Sequence, residues 1–596
     1  MDFADAVDAY AGSTTENGRP SVAKGEVGDA RVEAFFKLVR GLSRGEVVKA
    51  ARSVLKGADA DTAVDALVMW KQTRDVRGGK GERDLAQWWM VELSRAFPKT
   101  VKALLPLMQE FGSWRDYTAL IEDEEADAEI REEALRLFAE QILADINPDN
   151  ETPSLACKWA PREGGAHSGT AKQLAAVIFP EEKHPKPEYR KAIAMVNKKL
   201  ETVEIKMCEG AYSDIDPGKV PARCLLKHRD AFLNKGQRSS KKDRIECAEK
   251  FGEHAEECRK NPKRAKMHGR VLHPHEMVKE CMGTRGKGGW KGGKGGATEE
   301  DPIIEAQWVD LRERLRPELL VAATEENGGG LGRMVPLVDV SGSMHGEPME
   351  AAIALGLLIS EVGHPATRDR FITFETDPRW HVLDPEASLH SKVRSAMGAE
   401  WGGSTNFSKA LGLVLDACIK GNVSPDEVGR LQLVVLSDMQ FDSALREYSG
   451  RGDPSQRHNI WETQYEELVR RFEAAGLRTQ WKQAYPVPRV IFWNLRGDTE
   501  DFPAKADTPG VDMISGFSAN LLKLFMDGDI SEVMESSVAE GLEEQRKRDR
   551  KKDPLVTMRK ALDDPRYDPV REVCATIGEG IMAGYRAPRR MACVDS

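Results

Sequence analysis

The loop Asp339-Val340-Ser341-Gly342-Ser343 closes the apolar run Met334-Val335-Pro336-Leu337-Val338 with one carboxylate and two hydroxyls at alternate positions. These are hard oxygen ligands. They suit Mg²⁺ or Ca²⁺, and Mg²⁺ needs few of them because it keeps several of its waters. Two further segments carry matching groups. Trp401-Gly402-Gly403-Ser404-Thr405-Asn406-Phe407 sets a hydroxyl on a glycine loop ahead of a helical run, and the apolar run 431–436 ends in Ser437-Asp438. Three loops thus deliver Asp339, Ser341, Ser343, Thr405 and Asp438, with Asp442 available to support them. The low carboxylate count favours Mg²⁺ over Ca²⁺, with Ca²⁺ and Mn²⁺ as the alternatives.

The elements that must position these groups are legible in outline. Strand-like runs fall at 334–338, 370–374, 431–436 and 489–493, with helical runs at 409–419 and 461–475. Buried strands alternating with helices predict a doubly wound, mostly parallel α/β sheet, with ligands beyond the carboxyl ends of its strands. Asp339 stands at such an end. Ahead of it, from Val32 to about Met282, apolar residues recur at three- and four-residue spacing, as in Val32-Glu33-Ala34-Phe35-Phe36-Lys37-Leu38-Val39. That predicts an all-α region, either a bundle or a HEAT-like solenoid; no clean repeat period decides between them. The expected organisation is an arm at 1–28, a helical domain at 29–282, a Gly/Lys-rich linker at 283–300 and a connecting helix at 301–330. The α/β domain follows at 331–530 and a charged helical tail at 531–596.

Charge is uneven. The chain carries a net −10, yet Lys219 to Gly296 holds 21 Lys and Arg against 9 Asp and Glu. Within it, Arg259, Lys260, Lys263, Arg264, Lys266 and Arg270 are spaced to form one helical stripe, and Trp290 stands among Lys and Gly. A tryptophan can stack on a base while lysines pair with phosphates, so single-stranded or structured RNA is a candidate partner. The other reading is a solvated helical face followed by a basic linker.

Several chemistries lack support. Arg77-Gly78-Gly79-Lys80-Gly81-Glu82-Arg83 has neither the spacing of a phosphate loop nor a preceding strand, and reads as an interhelical turn. Cys247, His254, Cys258, His268, His273, His275 and Cys281 invite zinc, but no C-x-x-C pair brings ligands together. No nucleophile–base pair can be assembled from spacing, so a non-enzyme is expected. The acidic N-terminus has no apolar signal core, and no run of about 18 apolar residues predicts a membrane span. Nine scattered Cys fit reduced thiols, hence a cytoplasmic setting with the nucleus open.

The five oxygen-bearing residues and their strand-end setting closely resemble the metal-ion-dependent adhesion site (MIDAS) of von Willebrand factor A (vWA) domains. The resemblance implies that Ser341, Ser343 and Thr405 coordinate the ion by their hydroxyls, directly or through water. Asp339 and Asp438 would supply charge, and one position would stay open for a partner's Asp or Glu. One departure stands out: many vWA domains have Asp-Gly in the third loop, where this chain has Asp438-Met439. Leu155-Ala156-Cys157-Lys158-Trp159-Ala160-Pro161-Arg162-Glu163, Val220-Pro221-Ala222-Arg223, Phe492-Trp493-Asn494-Leu495-Arg496 and Ser515-Gly516-Phe517-Ser518 also look like an uncharacterised family with a helical N-terminal half and a vWA-like C-terminal half. In layout that family is similar to the Ro autoantigen (TROVE–vWA) proteins. Two functions follow as expectations. One is a non-catalytic scaffold whose ion holds an acidic partner segment. The other is a ribonucleoprotein component that uses the basic helical half.

Overall fold

The structure is a computed structural model. It describes residues 28–236, 238–269, 271–283, 300–321, 330–331, 333–364, 367–374, 378–398, 407–439, 470–497, 510–527 and 553–583. Contacts divide the chain into two compact units that do not follow chain order. The first unit gathers 1–42, 221–229 and 252–560, and the second gathers 43–220, 230–251 and 561–596.

The first unit is built on a six-stranded sheet: β1 (Arg333–Asp339), β2 (Arg370–Phe374), β3 (Arg379–Val382), β4 (Leu431–Ser437), β5 (Arg489–Asn494) and β6 (Val511–Ser515). The spatial order is β3-β2-β1-β4-β5-β6. Every pair is parallel except β2–β3. The chain winds outward from β1 to β2 and β3, then returns to the other side of β1 for β4, β5 and β6. The order therefore reverses between β1 and β4, the point beyond whose carboxyl ends open α/β sheets form a binding crevice. Pro336 lies inside β1, where the missing N–H would cost a ladder bond. β1 pairs with β2 only from Leu337 onward, so the proline falls before that ladder begins.

The helix Glu347–Val362 follows β1 and is buried from Met349 to Val362. Its apolar surface runs all round, as expected of a helix covered on several sides. It packs on β1 and also against the helices Pro274–Cys281 and Pro302–Val321. Gly356 permits the approach to the sheet, since a Cβ there would stand 2.4 Å from Val338 Cγ2. The helices are tied by a buried charge cluster. Lys392 Nζ lies 3.0 Å from Glu361 Oε1, and Trp308 Nε1 donates to Glu361 Oε2 at 3.0 Å.

The helix Ala30–Lys37 and the helix Pro274–Cys281 were expected in one helical domain over 29–282; both lie with the sheet. The cause is visible at the first of them. The Phe35 carbonyl accepts from Ser515 Oγ at 2.9 Å and the Phe36 carbonyl from Asn494 Nδ2 at 3.3 Å. Gly497 N then donates to the Arg40 carbonyl at 2.9 Å. A Cβ on Gly497 would meet the Val39 carbonyl at 2.6 Å, so the segment passes too close for any side chain there.

The second unit is helical. Its helices have the caps that the sequence offers: Ser43 and Glu46 form a capping box on Arg44–Leu55, and Asp59 accepts from Thr62 N ahead of Ala60–Arg74. Ala60–Arg74 is buried continuously from Ala63 to Thr73. Its Lys71 is fully enclosed and donates to the Leu104 carbonyl at 3.0 Å, and burial pushes its ammonium well below the usual lysine range. The C-terminal segment completes this unit. Arg566 pairs with Asp75 through Nη2 at 3.2 Å, Tyr567 Oη donates to Asp75 Oδ2 at 3.3 Å, and both Asp75 and Tyr567 are buried.

Candidate functional site

Four strands of the sheet end in a polar residue at the same level. The registers pair Val338 with Leu436, Ser437 with Asn494, and Asn494 with Ser515. Asp339, Ser437, Asn494 and Ser515 therefore form one row across the carboxyl edge, and all four are buried. The row divides into two halves. Asn494 and Ser515 hold the backbone of Phe36 and Phe35, so the segment 35–42 closes the β5–β6 end. Asp339 and Ser437 face the crevice where the sheet order reverses.

Both oxygens of the Asp339 carboxylate are held. Ser437 Oγ donates to Asp339 Oδ2 at 2.6 Å, and Ser341 N donates to Asp339 Oδ1 at 2.9 Å. Ser341 Oγ and Ser343 Oγ lie 3.1 Å apart on the short 3₁₀ turn Gly342–Met344. Asp438 follows β4 directly and is fully buried. Met439, beside it, takes φ +65°, a left-handed conformation that costs a non-glycine residue about 1–2 kcal/mol. Met439 N donates to Ser437 Oγ at 3.1 Å, which pins that turn. Burial, and then the neighbouring Asp438 charge, push the Asp339 carboxyl up to about 7, against the opposing bonds from Ser437 and Ser341. Two carboxylates buried together are costly unless a cation joins them. With the two hydroxyls they make an all-oxygen donor set, which fits a hard divalent ion. Thr405 and Asp442 lie outside the described residues.

A second layer rings the crevice. Arg496 Nη1 donates to the Ser343 carbonyl at 2.9 Å, and Arg496 N donates to Asn494 Oδ1 at 2.9 Å. Arg40 Nη1 reaches Glu347 Oε2 at 3.1 Å and His275 Nε2 at 3.2 Å. A guanidinium only donates, so His275 Nε2 accepts and its Nδ1 carries the proton. Burial, then His273, Arg40, Lys279 and Arg223, hold His275 well below the usual histidine range. Ser437, Asn494, Ser515 and Arg496 were missed as site residues from the sequence. The available signal was a polar residue closing the apolar runs of β1, β4 and β5.

The other predicted residues are distributed differently. The helix carrying the basic stripe ends at Lys260, because Pro262 cannot donate and restrains Asn261. Lys263, Arg264 and Lys266 lie in the turn beyond it and are exposed, so the expected single stripe is not formed. Arg259 and Lys260 both pair with Glu256, at 3.5 and 3.2 Å. Arg270 and Trp290 are outside the described residues. In the turn 77–82 the amides of Arg77, Gly79, Lys80 and Glu82 are consumed by Asp75, Gln72 and Thr73, and Lys80 is buried. No cradle for phosphate is left among those amides. Among the described residues, no three His, Cys, Asp or Glu side chains gather as a metal-ligating group. The crevice would reach its coordination through hydroxyls instead. No described helix is long and apolar enough to cross a membrane.

Comparison with known proteins adds architecture. Residues 334–562 match a domain of unknown function (DUF7788), and residues 131–318 match another (DUF2828). The chain is similar to the Uncharacterized protein L728 of Acanthamoeba polyphaga mimivirus, at 27% identity over 538 residues, covering 87% of this chain and 85% of that one.

Proposed function

We propose that the α/β unit of this chain, whose residues 334–562 match a domain of unknown function, is a vWA-like module binding one divalent ion and, through it, an acidic segment of a protein partner. The observation that carries this reading is the buried Asp339–Asp438 pair at the reversal of the sheet order, flanked by the Ser341 and Ser343 hydroxyls. Met439 supports it too: its φ of +65° is what a glycine adopts freely, and glycine is what the resembled family often has there. Asp339, Asp438, Ser341 and Ser343 would hold the ion. The ion supplies Lewis acidity towards an incoming oxygen ligand. The protein's own share is to keep the oxygens in place, with Ser437 orienting Asp339 and the Met439 turn presenting Asp438. Among the described residues the set offers only carboxylates and hydroxyls, the oxygen donors that an ion-mediated binding site uses. The helical unit would act as the scaffold.

Affinity capture with and without EDTA tests this reading. Capture of a partner should need Mg²⁺ and disappear with Asp339→Ala. Capture indifferent to both would refute it. The RNA reading keeps one supporting observation, the exposed Lys263, Arg264 and Lys266. It requires an RNA shift that weakens steeply with salt and fades when these three are neutralised.

A further inference from the structure

We propose that the amino-end edge of the sheet, opposite the ion site, docks on an anionic membrane surface through Ile419, Leu477 and Trp481 with Lys420, Arg478 and Lys482. Two turns build this surface. One closes the helix Phe407–Lys420: Asn422 N donates to the Ile419 carbonyl at 3.1 Å, and Val423 N to the Cys418 carbonyl at 3.0 Å. It leads through the short helix Pro425–Gly429 into β4. The other turn runs from Gly476 to Tyr485 and leads into β5, the parallel neighbour of β4. Its ends meet closely enough that a Cβ on Gly476 would stand 2.3 Å from Tyr485 N. Two bonds clamp the turns together. Trp481 Nε1 donates to the Asn422 carbonyl at 3.1 Å, and Tyr485 Oη to the Val423 carbonyl at 2.6 Å.

Both turns project. Ile419 to Asn422 are all exposed, and so is every residue from Leu477 to Gln483 except Thr479. Three of these are large and apolar: Ile419 at 41%, Leu477 at 54% and Trp481 at 42% exposure. Scattered apolar residues on a surface need no explanation, but three on two clamped turns mark a contact. The cations among them, Lys420, Arg478 and Lys482, make no ion pair among the described residues. No Asp or Glu lies between Ala417 and Val423, or between Ala474 and Pro488; the flanking Asp416 and Glu473 stand outside both turns. Charge complementarity therefore calls for an anionic partner.

The polar groups of the second turn choose among anionic partners. Thr479 N donates to the Gly476 carbonyl at 3.1 Å, Trp481 N to Thr479 Oγ1 at 3.4 Å, and Lys482 N to the Thr479 carbonyl at 3.3 Å. These amides and the indole N–H are thus spent within the protein. A nucleic acid or an acidic peptide draws on such donors when they are free. Lipid instead penalises every polar group that enters it unsatisfied. An indole and two aliphatic side chains on a turn with satisfied amides, with cations beside them, have the make-up of an interfacial anchor. The apolar side chains would enter the acyl boundary, and the cations would meet the anionic headgroups.

The test is co-sedimentation of the full chain with vesicles of phosphatidylcholine, or of phosphatidylcholine with about 30% phosphatidylserine. The wild type should pellet with the anionic vesicles alone, and less of it as salt rises. Lys420→Gln, Arg478→Gln and Lys482→Gln together should weaken binding about a hundredfold, at about fivefold per cation. Leu477→Asp, which leaves both clamps in place, should weaken it by about tenfold or more. Both variants change exposed side chains only, so both should melt with the wild type. Lys263→Gln, Arg264→Gln and Lys266→Gln together alter charge elsewhere and should leave binding unchanged. Lipid brominated on its acyl chains should quench the wild type's fluorescence, and that of Trp481→Phe less. A wild type that does not pellet with anionic vesicles at low salt overturns the proposal. So does binding that the surface variants leave unchanged, or that the substitutions at 263, 264 and 266 lower equally. Binding of an oligouridylate that the surface variants abolish, without vesicle binding, would make the occupant a nucleic acid and overturn it as well.

Discussion

Asp339 and Asp438 are both fully buried at the ends of neighbouring strands, where their mutual repulsion is a cost to the fold. Asp339→Asn keeps the shape and removes the repulsion; its oxygen can still accept from Ser341 N while its NH₂ donates to Ser437 Oγ. In EDTA this variant should be at least as stable as wild type by urea denaturation. The wild type alone should gain on adding Mg²⁺, by about 2.7 kcal/mol at a hundredfold excess over Kd. His275 makes a separate prediction. Its folded pKa is depressed by burial and by His273, Arg40, Lys279 and Arg223; the carboxylates of Glu347, Glu350 and Glu276 pair with the last three of those cations. Below about pH 6.5 the unfolded ring takes a proton that the folded ring refuses. This contribution to stability is therefore complete above that pH and lost as pH falls towards the folded pKa, at up to about 1.4 kcal/mol per unit. Urea midpoints at pH 5 and 7.5 should differ less in His275→Gln than in wild type. Asp339 and Asp438 stood out in the sequence because a carboxylate at, or one residue past, the end of an apolar run is unusual. Ser437, Asn494 and Ser515 were not, since a polar residue ending a strand reads equally well as the first residue of a loop.

Among the elements, the helix Glu347–Val362 and β1 set the position of the loop between them, so their separation matters. Gly356→Ala would force a methyl against Val338 and should cost about 1–3 kcal/mol. Gly412→Ala, in the helix Phe407–Lys420, has nothing within 4 Å and should gain about 0.5–1 kcal/mol. Thermal unfolding of the two variants separates close packing from helix propensity. Four strands were read correctly because they are continuous apolar runs; β3 and β6 were not. β3 is a short edge strand of Arg, Trp, His and Val with exposed ends. β6 hides its character behind Asp512, a charge paired inside with Arg489 at 2.5 Å. The basic stripe failed for the opposite reason: spacing suggested a continuous helix, and Asn261-Pro262 ends it.

At the scale of the whole molecule, the two units are assembled from discontinuous pieces of chain. Composition along the sequence can mark a linker, but it cannot show that residues 30–42 close a sheet edge formed about 460 residues later, nor that residues 561–583 belong with helices near the start. The second of these has a direct consequence. Arg566→Met leaves Asp75 buried with one charged partner fewer, and should destabilise the helical unit by about 3–5 kcal/mol while the ion site keeps its affinity. Hydrogen exchange of the helix Ala60–Arg74, followed with a Mn²⁺ titration, checks both halves of that statement. If the reversal of the sheet order holds a divalent ion, Mn²⁺ titration followed by electron paramagnetic resonance reads it without a partner. One bound ion per chain is expected in the wild type and none in Asp339→Asn or Asp438→Asn. No bound ion in the wild type, or one that survives both substitutions, would contradict it.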